Sequence, residues 1–103
     1  MRLVIVESPY AGDFEANIAY AREAMADSLR RGEAPFLSHL LYPQVLNDLE
    51  PMERLRGIEA GLCWGSKAEA TVAYVDLGVT PGMDEGMRRA RREGRRIEIR
   101  RIR

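Results

Sequence analysis

Cysteine and histidine each occur once in this chain, as Cys63 and His39. A lone thiol closes no internal disulfide, one imidazole excludes a His-rich metal centre, and no Cys/His ligand spacing suggests zinc. No metal and no cofactor are expected. The first apolar run, Leu3 to Val6, is far too short for a signal peptide or a membrane span, so no membrane association is expected and a reducing cytoplasm is the simplest location. There is no Walker loop, no nucleophile elbow and no Ser/His/Asp spacing, which removes the commonest kinase and hydrolase readings.

Aromatic residues make up only 7% of the chain, and none is interleaved with the basic cluster of Arg88, Arg89, Arg91, Arg92, Arg95, Arg96, Arg100, Arg101 and Arg103. Nucleic-acid surfaces pair cations with stacking rings, and Glu93 and Glu98 also interrupt this cluster, so a nucleic-acid partner is not expected. A formal net charge of zero conceals the asymmetry. The cluster reads as a solvated face whose cations complement the negative end of a helix and meet acidic patches on another subunit. No composition break, repeat or linker divides the 103 residues, so residues 1–103 form one domain. A chain of this length buries roughly two-thirds of its unfolded surface.

What is present is an alternation of strand and helix signals. Leu3-Val4-Ile5-Val6 reads as a strand covered on both faces. Asp13 caps a helix with Phe14, Ile18, Ala21, Met25 and Leu29 at helical spacing, stopped by Gly32. Ala34 to Leu37 is a second strand, placed at an edge by Pro35. Pro51 opens a second helix with a mostly apolar stripe at Met52, Leu55, Ile58, Glu59 and Leu62, continuing to Cys63 or Trp64. Ala70 to Val75 is the third strand. Thr80 and Pro81 start a third helix that runs to about Glu93, and Arg96 to Ile102 forms the last strand with Ile97 and Ile99 on one face.

This β-α-β-α-β-α-β order calls for right-handed crossovers and a mainly parallel α/β sheet. A first crossover to one side of strand one and a second to its other side give the order 2-1-3-4. Ligands bind where neighbouring loops diverge at the carboxyl ends of the strands, here Ser8 to Asp13 and Asp76 to Gly82. Gly12 before Asp13 permits a tight turn with free N–H groups, and Ser8 and Tyr10 add hydroxyls to the same rim. Thr80, Gly82 and Met83 build a helix N-terminus that favours anions, while Gly82, Gly86 and Ala90 form a small-residue stripe. Asp76, at the end of the third strand, is placed to accept hydrogen bonds from two ribose hydroxyls. Asp84 and Glu85 lie in the first helical turn, where acids complement the dipole and where either is in principle a glycosidic nucleophile. His39, between apolar residues and near Tyr42, is a packed histidine or one that bonds a base.

Taken together, S-P-Y-A-G with Asn17 and Tyr20-Ala21-Arg22, A-P-F-L-S-H-L-L-Y-P-Q, G-I-E-A-G-L-C-W and Y-V-D-L-G-V-T-P-G-M resemble small phage and bacterial proteins related to nucleoside 2-deoxyribosyltransferases. The resemblance spans nearly the whole chain. It implies a single nucleoside 2-deoxyribosyltransferase-like domain with a flavodoxin/Rossmann-like three-layer sandwich. It also implies a pocket for a nucleotide or nucleoside involving Ser8, Pro9, Tyr10, Gly12, His39, Tyr42, Asp76, Thr80, Gly82 and Met83. Homo-oligomers in which a neighbour completes the pocket are implied too, and, for a phage-encoded chain, a bacterial host cytoplasm. In the catalytic relatives a glutamate early in the helix after the third strand attacks the anomeric carbon. Their G-M-x-x-E-x-x-x-A pattern places Gly86 at that position, with Glu85 one residue earlier and about 100° away on the helix.

Two functions follow. The first is a non-catalytic module that binds, and sequesters, a nucleotide or an ADP-ribose-derived signal; the bare Gly86 motivates it. The alternative is an N-glycosidase or deoxyribosyltransferase acting on a nucleoside 5′-monophosphate, with Glu85 as nucleophile and Asp76 orienting the ribose. A third, an interaction protein with a vestigial crevice, would show an occluded pocket in the oligomer.

Overall fold

The computed structural model describes residues 1–103. Five-residue β1 (Leu3–Glu7) is followed by α1 (Phe14–Arg30) and the short edge strand β2 (Ala34–Phe36). A one-turn helix α2 (Ser38–Leu41) and a 3-10 turn (Tyr42–Gln44) lead to α3 (Pro51–Gly65), β3 (Ala70–Tyr74), α4 (Pro81–Arg92) and β4 (Arg96–Arg100). The strands form one parallel sheet in the order β2-β1-β3-β4. This is the order the crossover argument gives, and α2 is the element it did not contain.

Caps fix the two helices that frame the ligand edge. Asp13 Oδ1 accepts from the Ala16 N–H at 3.2 Å, and Thr80 Oγ1 accepts from the Met83 N–H at 3.2 Å, with Pro81 at the first helical position. One layer of core joins α1 to the sheet through Val4, Val6, Tyr20, Ala21, Ala24, Val72 and Tyr74. The other joins α4 through Ala73, Val75, Met83 and Met87, with Ile97 against them.

Three details of the packing differ from the periodicity reading. β3 is the strand buried along its whole length; on β1 Val4 and Val6 are buried but Leu3 stays 50% exposed, because α3 covers the second face of the sheet incompletely. The buried face of α1 is Asn17, Tyr20, Ala21, Ala24 and Ser28 rather than the stripe from Phe14 to Leu29, whose two ends are half exposed. Polar residues occupy that face because each is satisfied: Asn17 holds two loop carbonyls, Tyr20 bonds Asp76, and Ser28 bonds Glu33. On α3 the apolar residues Met52, Leu55 and Ile58 are exposed, and the inner face is Gly57, Gly61 and Gly65. A side chain on Gly61 would come within 2.9 Å of Ser38, so the glycine is what lets α2 lie against α3.

A buried ionic network closes the α1 side of the sheet. Arg100 donates to both Glu33 oxygens at 2.8 and 2.7 Å, and Glu33 also accepts from Ser28 and from Arg2. Glu98 accepts from Arg2 and Arg100. The guanidinium of Arg100, then that of Arg2, hold the Glu33 carboxyl down at about 2, and Arg2 and then Arg100 do the same for Glu98. Both folded values lie below the unfolded value near 4.5. Their stabilisation is therefore present above that pH and lost as pH falls towards about 2. Breaking such a buried pair from one side costs about 3–5 kcal/mol. Glu33→Gln is expected to lower the thermal midpoint at pH 7 and to flatten its decline between pH 5 and 2. An unchanged acid transition in that variant would contradict this account.

Candidate functional site

The carboxyl end of β1 opens onto a cavity of about 360 Å³. Glu7 and Ser8 at the end of β1, Tyr10 and Ala11 in the following loop, Ser38 and His39 on α2, and Tyr42 and Pro43 in the 3-10 turn line one side. Leu46, Asp48, Arg54, Gly57 and Ile58 close the second side, and Thr80, Pro81, Gly82 and Met83 bring the N-terminus of α4 to the third. Both diverging loops read from the sequence reach the cavity, the second only through Thr80 to Gly82, and residues of the Ser38 to Pro43 stretch join them.

The local chemistry explains the wall's shape. Gly12 adopts φ 109°, a conformation open to glycine, and Asn17 Nδ2 donates to the carbonyls of Tyr10 and Ala11 at 3.1 Å each, so the β1–α1 loop is pinned from below. Tyr10 packs edge-on against Phe14 and His39, with ring centroids 5.1 and 6.2 Å away. Ser8 Oγ lies 2.6 Å from His39 Nε2. Desolvation pushes the imidazole down to about 4, so His39 is neutral at physiological pH and its hydrogen bond to Ser8 is one between uncharged groups. Burial, and then neighbouring Asp48, raise the Tyr10 phenol.

Glu7 is the residue that the sequence reading missed. Its side chain leaves β1 on the same face as Leu3 and Ile5, and a Cβ built on Gly86 of α4 would overlap its carboxylate. The carboxyl thus occupies the hollow left by the glycine, at the very helix position where the resemblance calls for a glutamate. Burial pushes it up to about 8, opposed by the charge of Arg95, and no hydrogen bond holds it. The signals in the sequence were an acid closing an apolar strand just before the rim serine, and a glycine where a side chain was expected. Each is weak alone, and only the packing of α4 on the sheet joins them.

Of the other residues selected from sequence, Ser8, Tyr10, His39, Tyr42, Thr80, Gly82 and Met83 line the cavity. Pro9 and Gly12 shape the loop without lining it. Asp76 lies outside the lining: its Oδ2 accepts from the Tyr20 hydroxyl at 2.6 Å and the Ile102 N–H at 2.9 Å, and Oδ1 accepts from the Arg103 N–H at 3.0 Å. Those bonds, Tyr20 foremost, hold it down at about 2 and tie it to the carboxyl-terminal segment. Glu85 also lies outside, exposed on α4 and paired with Arg92 at 3.2 Å, because the helix turns it away from the sheet. The arginines of the carboxyl-terminal cluster go largely into such pairs, Arg88 with Asp84, Arg89 and Arg95 with Glu93, and Arg100 with Glu33. No three ligating side chains come together as a metal site.

A family model described as a domain of unknown function (DUF7768) matches residues 2–100. The chain belongs to that family. No curated protein matches its sequence. Among solved structures it is similar to a 2-deoxyribosyltransferase from the psychrotolerant bacterium Bacillus psychrosaccharolyticus, with a TM-score of 0.76 and 12% identity over 96% of this chain and 72% of the other. It is also similar to the CMP N-glycosidase of Clostridium botulinum, with a TM-score of 0.58 and 13% identity over 97% and 71% of the two chains. Identities this low establish a shared deoxyribosyltransferase-like fold.

The Glu7 carboxyl makes a stability prediction whose sign is opposite to that of Glu33. Its folded value lies above its unfolded one, so the protonated group is tolerated at low pH and stability falls as pH rises from about 4.5 through about 8. Glu7→Gln keeps the shape without the charge. It is expected to raise the thermal midpoint at pH 8 by on the order of several degrees and to leave it unchanged at pH 4. A midpoint lowered at pH 8 would show that the carboxylate has a stabilising partner.

Proposed function

We propose that this cavity binds a nucleoside or nucleotide. What carries the reading is the cavity itself: it opens at the carboxyl end of β1, between the segment that follows β2 and the N-terminus of α4, and its lining combines flat or apolar side chains with the hydroxyls of Ser8, Ser38 and Thr80. Its volume falls in the range of roughly 300–1,000 Å³ usual for small-molecule sites. Tyr10, Tyr42, Leu46 and Ile58 suit the faces of a base; Ser8, Thr80 and the neutral His39 suit sugar hydroxyls; Arg54 and the first turn of α4 suit a phosphate. The two solved neighbours, named for a deoxyribosyl transfer and for CMP, agree with this ligand class at the level of fold.

Two versions of the reading differ in what happens to the ligand. The bare Gly86 favours holding it intact, as in sequestration of a nucleotide or an ADP-ribose-derived signal. The carboxyl of Glu7 in the same hollow favours cleavage or transfer at the N-glycosidic bond, by a carboxylate other than Glu85. Assembly into homo-oligomers belongs to the same proposal: Val45, Leu49 and Met52, neighbours in sequence of the lining residues, are exposed apolar groups that a second copy would cover.

Calorimetric titration with the ribonucleoside and deoxyribonucleoside 5′-monophosphates, their parent nucleosides and cyclic ADP-ribose isomers tests the reading. Micromolar binding of at least one class is expected, weakened by about tenfold in Tyr42→Ala through lost stacking area. Absence of binding across the panel at millimolar ligand would overturn it.

A further inference from the structure

We propose that Glu7 is the catalytic carboxylate of this site, a nucleophile that β1 delivers to the anomeric carbon of the bound nucleoside. The inference rests on the nucleoside-binding reading above and adds the reaction and the residue. Its first support is placement. Glu7 ends β1 at the ligand edge, lines the cavity, and has its oxygens set into the hollow at Gly86, so the backbone of α4 and the end of the strand fix them from two sides.

Its second support is the contrast with every other desolvated acid in the fold. Glu33 and Glu98 are held by arginines, Glu93 by Arg89 and Arg95, Asp27 by Tyr74 and Arg31, and Asp76 by Tyr20 and backbone N–H groups. The Glu7 carboxyl alone is desolvated without such a partner, and it faces a cavity. A group kept in that state at a cost to folding is what a site needs when the partner is a developing positive charge on the substrate. The neighbouring ionisable groups are compatible with this. Arg95 lowers the cost of the charged form, His39 is neutral, and Asp48 and Arg54 also line the cavity.

The step balances without any further reactant than water. A Glu7 oxygen forms a bond to C1′ while the C1′–N bond breaks through an oxocarbenium-like transition state. The electron pair leaves on the base nitrogen, which takes a proton from solvent. Water then attacks C1′, leaving its hydroxyl on the sugar and its second proton with the released carboxyl. A nucleobase replacing water as acceptor gives transfer instead of hydrolysis.

The test pairs a base-release assay with calorimetry on the same nucleosides and 5′-monophosphates. Wild type is expected to release free base, with kcat/KM rising with pH as Glu7 ionises, up to about 8. Glu7→Gln is expected to lower turnover by about 100-fold or more while binding stays within a few-fold. Glu7→Ala combined with Gly86→Glu returns a carboxylate to the same hollow from the helix side. It is expected to recover at least about tenfold over Glu7→Ala alone, a rescue that a purely structural role would not produce. Unchanged turnover in a folded Glu7→Gln protein would overturn the assignment, and so would wild type that binds the panel and releases no base. Failure to bind at all would overturn the underlying binding reading instead.

Discussion

Residue 86 has no side chain, and the space this leaves between α4 and the sheet is filled by the carboxyl of Glu7. Much of the site depends on that fit. A larger residue at 86 would drive the Glu7 carboxyl out of its hollow or move the N-terminus of α4, and with it Thr80, Pro81 and Gly82, from the cavity wall. The same constraint decides the electrostatics, because a carboxyl lodged between strand and helix gives up part of its hydration without gaining a hydrogen bond within the fold.

Two opposed treatments of acidic groups then coexist within one small fold. On the α1 side, Glu33 and Glu98 are desolvated but fully engaged by Arg2 and Arg100, which pull them down to about 2. On the α4 side, Glu7 is desolvated and unengaged, and rises to about 8. The first arrangement is what structural ion pairs look like; the second costs folding free energy and is the kind of setting in which the carboxylate proposed above would act. Asp76 belongs to the first kind. Its bonds to Tyr20, Ile102 and Arg103 secure the carboxyl-terminal segment, so a polar residue at a strand end is here a clamp.

Strand order, helix starts and the convergence of loops were readable in the residues because each has a local cause. Asp13 and Thr80 cap the helices they precede, Pro35 marks the edge strand, and the alternation of elements admits few sheet orders. The face of α1 was less readable, since Asn17, Tyr20 and Ser28 are buried through bonds to partners far along the chain, which no periodicity reveals. For the same reason Asp76 and Glu85 were chosen by type and position, while their oxygens are committed to Tyr20 and Arg92 in the fold.

The sequence by itself determined an α/β chain in the order 2-1-3-4 whose loops from Ser8 and from Asp76 diverge at one sheet edge, because capping, turn chemistry and crossover handedness act over a few residues. The tertiary structure alone decided which carboxylate belongs to that edge. Glu7 and Gly86 are 79 positions apart, 86 less 7, and their relation exists only where α4 crosses the end of β1. Desolvation and fit between distant elements, unlike helix starts and turns, are properties of packing.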